Sequence, residues 1–169
     1  MSISTEKLKE LREQSGAGIM ACRNAYIEAG EDMNKALELL KEQNLYIAEK
    51  KKERSTSQGV VEAYIHAGGR IGAMVEVNCE TDFVARTDEF KELAHLLAMQ
   101  VAAMDPRYIA QDEVPEDAEL EQSVEEICLL TQACIKDPAV TIQDLITEAI
   151  GKVGENIRVS KIARFELGL

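Results

Sequence analysis

A change of pattern within Val75-Glu-Val-Asn-Cys-Glu-Thr-Asp-Phe-Val-Ala-Arg-Thr87 decides the fold of this chain. Apolar and polar residues alternate up to Asn78, which is the period of a β-strand with one buried face. The alternation then stops, and Asp82 and Phe83 lie in the chain reversal that follows. A Phe after a strand either packs beneath the next helix, as buried aromatics commonly do, or points outward into a contact surface.

The alternating strand is the second half of a predicted β-hairpin. Small and β-branched apolar residues fill 60–66 and 71–79, and Ala67-Gly-Gly-Arg70 between them is typical of a turn. In the second strand Ala73, Val75 and Val77 share the face predicted to be buried. A helical period of apolar residues then predicts a helix over about 87–104 that covers the sheet.

The remainder of the chain predicts two more helices and a strand. Apolar residues at helical spacing predict a helix over about 119–135, and Thr141 with Asp144 is a capping pattern for a helix over 142–153. Alternation over 157–167 predicts a third strand. Three antiparallel strands covered by helices give an α+β core domain over 59–169.

The N-terminal part has a different character. Helical patterns over about 4–15, 18–29 and from 31 onward, joined by tight turns containing glycine, predict a three-helix module over residues 1–46. Met20, Ala25 and Ile27 are predicted to form the inner surface of its second helix. Residues 47–58 have no apolar stripe, and we interpret them as a linker or a fraying helix that becomes one.

The charge distribution narrows the class of partner. The chain has 169 residues and a net charge of −12. Residues 1–57 are neutral overall, so the excess acid lies in the second part, and no separate basic lobe is present to bind nucleic acid directly. No segment reaches the roughly 20 apolar residues that span a bilayer, and the N-terminus does not resemble a signal peptide. We therefore expect no membrane insertion, a cytoplasmic location and protein partners.

No catalytic constellation is found in the sequence. The four cysteines lack the Cys-x-x-Cys spacing and nearby His pairs of zinc and redox sites, and Gly16-Ala-Gly18 lacks the rest of a phosphate-binding loop. His66 and His95 have no partner that spacing identifies. A thiol enzyme that uses Cys79 would need a base that the sequence does not show. We expect no catalytic residue, no metal site and no bound cofactor, which favours a binding protein.

Three motifs resemble one family. They are Leu11-Arg12-x-x-Ser15-Gly-Ala-Gly18-x-Met20-x-Cys22-Arg23-x-Ala25, Glu76-Val-Asn-Cys-Glu-Thr-Asp-Phe-Val-Ala85 and Lys152-Val-Gly-Glu-Asn-Ile-Arg158. Their order and combination resemble translation elongation factor Ts, the guanine-nucleotide exchange factor of elongation factor Tu, and they frame nearly the whole chain. The resemblance implies that the three-helix module is ubiquitin-associated-like and that the function is exchange without covalent chemistry.

The resemblance also implies which residues touch elongation factor Tu. In the family the first module docks on the nucleotide-binding domain, and the core brings an acid and a Phe near its magnesium and phosphate site, with a turn late in the chain in the same contact region. The implied contact residues here are Arg12, Ile19, Met20, Arg23, Thr81, Asp82, Phe83, Val84, Val153 and Gly154. The family pattern often has Met at the position of Ile19 and Lys at that of Arg23.

The resemblance also implies a homodimer, and one alternative function competes with the exchange factor. This chain is similar to the short form of the family, in which two chains pair to supply a missing half of the core, and a free strand edge and an apolar sheet face favour a homodimer. The alternative function is an adaptor whose three-helix module binds ubiquitin-like or helical peptides. Such an adaptor has no use for the exposed motif at 81–84, and this argues for the exchange factor.

Overall fold

A computed structural model describes residues 4–116 and 122–168. The chain folds as two compact units. One contains the chain up to Arg54 together with Thr147–Asn156, and the other contains Ser55–Ile146 and the chain from Ile157 onward. The first is called the helical unit below and the second the sheet unit.

The helical unit begins with helices α1 (Thr5–Ser15), α2 (Ile19–Glu28) and α3 (Met33–Lys51). The Ser4 hydroxyl caps α1 by accepting from the Lys7 backbone N–H at 3.2 Å. Gly16 ends the helix in the left-handed conformation, with φ of 64°, which a residue without a Cβ adopts at little cost. The buried side chains that hold the three helices together include Leu11, Cys22, Ala25, Tyr26, Ala36 and Leu40.

The predicted inner surface of α2 is correct only for Ala25. Met20 and Ile27 are exposed, and Cys22 and Tyr26 are buried in their place. The reason is that α2 has apolar residues on two sides, so that helical spacing alone does not tell which side faces the core. The side that includes Met20 and Ile27 is therefore a solvent-facing apolar surface.

Helix α3 continues into the predicted linker. It ends at Lys51, with Lys50 and Lys51 in its last turn, where cations favour the negative end of the helix dipole. The following backbone is also held, because the Asn156 side-chain amide donates to the carbonyls of Lys52 and Arg54 at 3.2 and 2.9 Å. A strand begins at residue 58, so within the predicted linker of residues 47–58 only 52–57 lie outside helix and strand.

Helix α7 (Ile142–Val153) has the predicted cap, and its second half belongs to the helical unit. The Thr141 backbone N–H donates to Asp144 Oδ2 at 3.0 Å, and the Asp144 N–H donates back to Thr141 Oγ1 at 3.1 Å. Near its other end, a Cβ at Gly151 would overlap the Asn44 side chain. Gly151 thus permits the close approach of α7 to α3.

The sheet unit contains the predicted antiparallel sheet. Its strands are β1 (Gln58–Ile65), β2 (Ile71–Cys79) and β3 (Ile157–Glu166), in the order β1-β2-β3. Between β2 and β3 along the chain come α4 (Asp82–Ala85), α5 (Asp88–Met104) and α6 (Val124–Ile127), and then α7. Helix α5 packs on all three strands, and Ala73, Val75 and Val77 are buried as predicted. The α+β fold class is confirmed.

The predicted helix over 119–135 is wrong where the structure describes it. Only α6 is helical, and a 3₁₀ turn at Leu129–Thr131 follows it; the predicted start, at 119–121, lies outside the described residues. Ile127, Cys128 and Leu129 are buried in succession, which a helix with one inner face does not allow. The apolar spacing of this segment therefore reflects an irregular chain that is buried on more than one side.

A buried glutamine explains how this irregular segment satisfies its backbone. Gln100 of α5 is fully buried and donates to Gln132 Oε1 at 3.1 Å and to the Ala133 carbonyl at 3.0 Å. It also accepts from the Ile135 backbone N–H at 2.9 Å. These bonds satisfy the Ala133 carbonyl and the Ile135 N–H, which a helix would have paired within itself.

No helix of the described residues combines the length and the apolar character needed to cross a membrane.

Candidate functional site

Helix α4 is a single turn fixed at both ends. The Thr81 hydroxyl caps it by accepting from the Val84 N–H at 3.5 Å, and the Thr87 hydroxyl donates to the Val84 carbonyl at 2.8 Å. Thr87 also caps the next helix, since its oxygen accepts from the Phe90 N–H at 3.3 Å. The turn is too short to be stable alone, and these side chains hold its shape.

Phe83 points outward from this turn. Its side chain is 79% exposed, whereas Ala85 is buried and fastens the turn to the sheet unit. The position of Phe83 removes the alternative that it packs beneath α5. An apolar ring of this size in solvent, on a backbone that is held by caps, has the form of a contact residue.

Asp82 lies beside Phe83 in an ion pair that spacing did not lead us to expect. Its Oδ2 is 2.8 Å from Nη2 of Arg86, and the two side chains are 46% and 77% exposed, respectively. The i, i+4 separation of an acid and an arginine across a short helix is the sequence signal that identifies this pair. Arg86 was absent from the predicted contact residues.

A second apolar surface lies on α2. At 3.6 residues per turn, Ile19, Met20, Arg23 and Ile27 fall within an arc of about 100°. Ile19, Met20 and Ile27 are 55%, 59% and 54% exposed. This group is called the α2 face below. Ile27 was assigned to the core from the sequence, and its i+4 spacing from Arg23 and i+8 spacing from Ile19 is the signal that places it here.

The turn after α7 belongs to the helical unit with the α2 face. Lys51 Nζ donates to the Gly154 carbonyl, and a Cβ at Gly16 would overlap the Lys152 side chain. Gly154 is exposed, and Val153 is half-buried. The helical unit thus contains six of the predicted contact residues: Arg12, Ile19, Met20, Arg23, Val153 and Gly154. The sheet unit contains the other four, at 81–84.

The four cysteines are shielded from solvent. All four are reduced and buried. Cys79 donates its thiol hydrogen to the Thr81 carbonyl at 3.1 Å, which gives it a place in the turn before α4. Burial, and then the charges of Glu113 and Glu125, raise the pKa of the Cys128 thiol, so it keeps its proton at neutral pH. In the described part of the chain, no group of three or more His, Cys, Asp or Glu side chains is arranged to hold a metal ion.

Comparison with known proteins gives a consistent result. The family model described as "Elongation factor TS" matches residues 5–122. The chain is 46% identical to "Elongation factor Ts" of Carboxydothermus hydrogenoformans, over 98% of this chain and 89% of that protein. It is also 46% identical to the protein of the same name from Thermotoga petrophila, over 99% of this chain and 98% of the relative.

The chain belongs to the elongation factor Ts family. The family resemblance of the three motifs is thereby confirmed. Elongation factor Ts proteins act in translation as nucleotide exchange factors, with elongation factor Tu as their partner. In this member of the family, the motif Glu76–Ala85 supplies the exposed turn α4, and the motif Leu11–Ala25 supplies most of the α2 face.

Proposed function

We propose that this chain promotes GDP release from elongation factor Tu by placing Asp82 and Phe83 of α4 against the partner near its magnesium and phosphate site. The observation that carries the proposal is the exposure of Phe83, 79%, on a turn that capping side chains hold. Docking comes from the helical unit, through Arg12, the α2 face and the turn Val153–Gly154. Thr81 and Val84 complete the contact around the aromatic ring.

The energy available from Phe83 sets the scale of its role. Burying a Phe side chain stabilises a complex by about 1.5–3 kcal/mol. If that contact forms only in the nucleotide-free complex, it shifts the nucleotide equilibrium by about ten- to a hundredfold. Larger acceleration requires the additional contacts of Asp82 and of the helical unit.

The mechanism requires no bond to break. Magnesium bridges protein ligands and the nucleotide phosphates, so a side chain that displaces those ligands weakens nucleotide binding without touching the base. Linkage makes the effect reciprocal: if the chain weakens GDP binding, GDP weakens binding of the chain by the same factor. Incoming nucleotide therefore expels the chain and restores it for another cycle.

Release of labelled GDP from elongation factor Tu tests this mechanism when it is measured with and without magnesium. With millimolar magnesium we expect strong acceleration by the chain. In excess EDTA the metal is already lost, so the acceleration factor should shrink by about tenfold or more. Equal acceleration in both conditions would show that the chain acts elsewhere than at the magnesium site.

The α2 face gives a separate prediction about docking. Ile27→Ser should raise the concentration of chain that gives half-maximal GDP release by about fivefold, because roughly half of an isoleucine is still available for burial. The maximal rate should be unchanged, since the side chain lies in the docking surface. The measurement is the GDP release rate as a function of chain concentration.

The matched control is Leu45→Ser on α3. Leu45 is 51% exposed, close to the 54% of Ile27, but it lies on another helix. The control should reach half-maximal GDP release at the same chain concentration as the parent protein. If the Ile27→Ser and Leu45→Ser variants give half-maximal GDP release at the same chain concentration, Ile27 has no part in docking.

We also propose that the chain forms a homodimer through the sheet face opposite α5. Strand register places Ile65, Gly72 and Phe165 side by side across the three strands. Ile65, Met74, Phe165 and Leu167 are exposed, and they line a cavity of about 460 Å³. An exposed apolar area of this kind is a typical interaction surface, and a second copy covers it by a closed two-fold contact.

The far end of the same sheet face is polar and restricts how two copies can meet. Glu76 accepts a hydrogen bond from the Asn78 amide at 3.3 Å and pairs with Lys161 at 3.2 Å. The hydrogen bond from Asn78 and then that from Lys161 lower the pKa of Glu76, so it remains charged at neutral pH. A dimer of this kind therefore overlays the apolar ends of the two faces and leaves the charged ends in solvent.

A further inference from the structure

Arg86 is the basic residue at the exposed turn α4. Residues 71–90 contain five acidic side chains, and Arg86 is their one basic neighbour. Its Nη2 lies 2.8 Å from Oδ2 of Asp82. Asp82 is the first residue of α4 and Arg86 is its C-cap, so the ion pair spans the turn that presents Phe83.

The geometry fixes one end of Arg86 and leaves the other at the surface. Its backbone N–H donates to the Phe83 carbonyl at 3.3 Å, which holds its Cα relative to the ring. The side chain is more exposed than that of Asp82, 77% against 46%, so the guanidinium remains largely in solvent while it pairs with the carboxylate. The Asp82 carboxylate is therefore already paired with Arg86 before any partner arrives.

We propose that Arg86 is a positioning residue for nucleotide exchange, which holds the Asp82 carboxylate beside Phe83 and assists its burial against elongation factor Tu. The inference rests on the proposed function of Asp82 and Phe83. A bare carboxylate loses favourable hydration when a partner covers it, whereas a carboxylate paired with arginine loses less. Arg86 acts through Asp82 and not through a contact of its own.

The ion pair should matter more in the complex than in the free chain. An exposed pair between acid and arginine contributes little to stability in water, because solvent screens it. Exclusion of water by the partner strengthens the same pair. Arg86→Ala should therefore leave thermal unfolding of the chain almost unchanged and slow maximal GDP release by about three- to tenfold.

A double-mutant cycle separates positioning from a direct or structural role. Arg86→Ala is made in the parent, in the Asp82→Ala variant and in the Phe83→Ala variant. Maximal GDP release from elongation factor Tu is then measured for each at saturating chain. We expect Arg86→Ala to lower the maximal rate of GDP release in the parent and to cause no further fall in the Asp82→Ala variant. In the Phe83→Ala variant it should lower the rate by the same factor as in the parent.

The Phe83→Ala variant is the control for the Asp82→Ala variant, because it shows that a further fall in the GDP release rate can be measured when exchange is already slow. Arg86→Lys should recover part of the rate, because lysine keeps the charge but not the planar guanidinium geometry. An equal loss from Arg86→Ala with and without Asp82 overturns the inference, and so does the absence of any loss in the parent. Failure of the proposed function is a different result: the Asp82→Ala and Phe83→Ala variants would then each stimulate GDP release from elongation factor Tu as strongly as the parent.

Discussion

Replacing Phe83 by Ala is expected to lower the maximal rate of GDP release from elongation factor Tu by about ten- to a hundredfold, which corresponds to the burial of one aromatic side chain. The ring is 79% exposed in the free chain, so its loss should change the unfolding free energy by no more than about 0.5 kcal/mol. The effect therefore appears in exchange and not in folding. The measurement is release of labelled GDP at saturating chain, with thermal unfolding followed by circular dichroism.

Two variants make the Phe83 result specific. Phe83→Leu keeps much of the apolar surface and should lie between the parent and Phe83→Ala. Tyr46→Ala removes another exposed aromatic, on α3, and should behave like the parent. Parent-like exchange by Phe83→Ala would remove Phe83 from the site, even if the chain itself proved active.

Introducing Asp at Phe165 or at Ile65 is expected to convert a homodimer into monomers of 18.7 kDa. Each substitution enters a two-fold interface twice, so it places two carboxylates in the apolar contact, where they lose their hydration. Both side chains are exposed in the single chain, so folding should be retained. Sedimentation at micromolar concentration measures the change.

Leu45→Asp is the control for the dimer, because it puts the same charge on an exposed apolar position of α3. This variant should sediment like the parent. A parent protein that sediments as a single 18.7 kDa species at micromolar concentration contradicts the homodimer directly. The apolar sheet face would then require another partner.

The sheet and α5 were predictable because each has one buried face. In β2, Ala73, Val75 and Val77 alternate with more exposed residues, and that period has one structural interpretation. Residues 119–135 also have helical spacing, but the buried amide of Gln100 supplies hydrogen bonds to Ala133 and Ile135 from another element. Such a tertiary partner cannot be found from the local pattern.

The candidate site shows a similar division. The motif that contains Asp82 and Phe83 was visible, but its residues alone left the direction of the Phe83 ring open, because burial statistics favour an inner aromatic after a strand. The outward direction was predicted from the family resemblance. Ile27 was misassigned because α2 is apolar on two sides. Arg86 was missed because residues 81–86 were interpreted as a chain reversal, whereas i, i+4 spacing from Asp82 indicates a side-chain pair only in a helix.

The central claim is tested most directly by adding a substoichiometric amount of the intact chain to elongation factor Tu that carries labelled GDP, with unlabelled GDP in excess and magnesium present. The predicted result is accelerated release of the label from far more elongation factor Tu than the chain present, since incoming nucleotide expels the chain after each exchange. Release at the rate seen without the chain would contradict the assignment as an exchange factor.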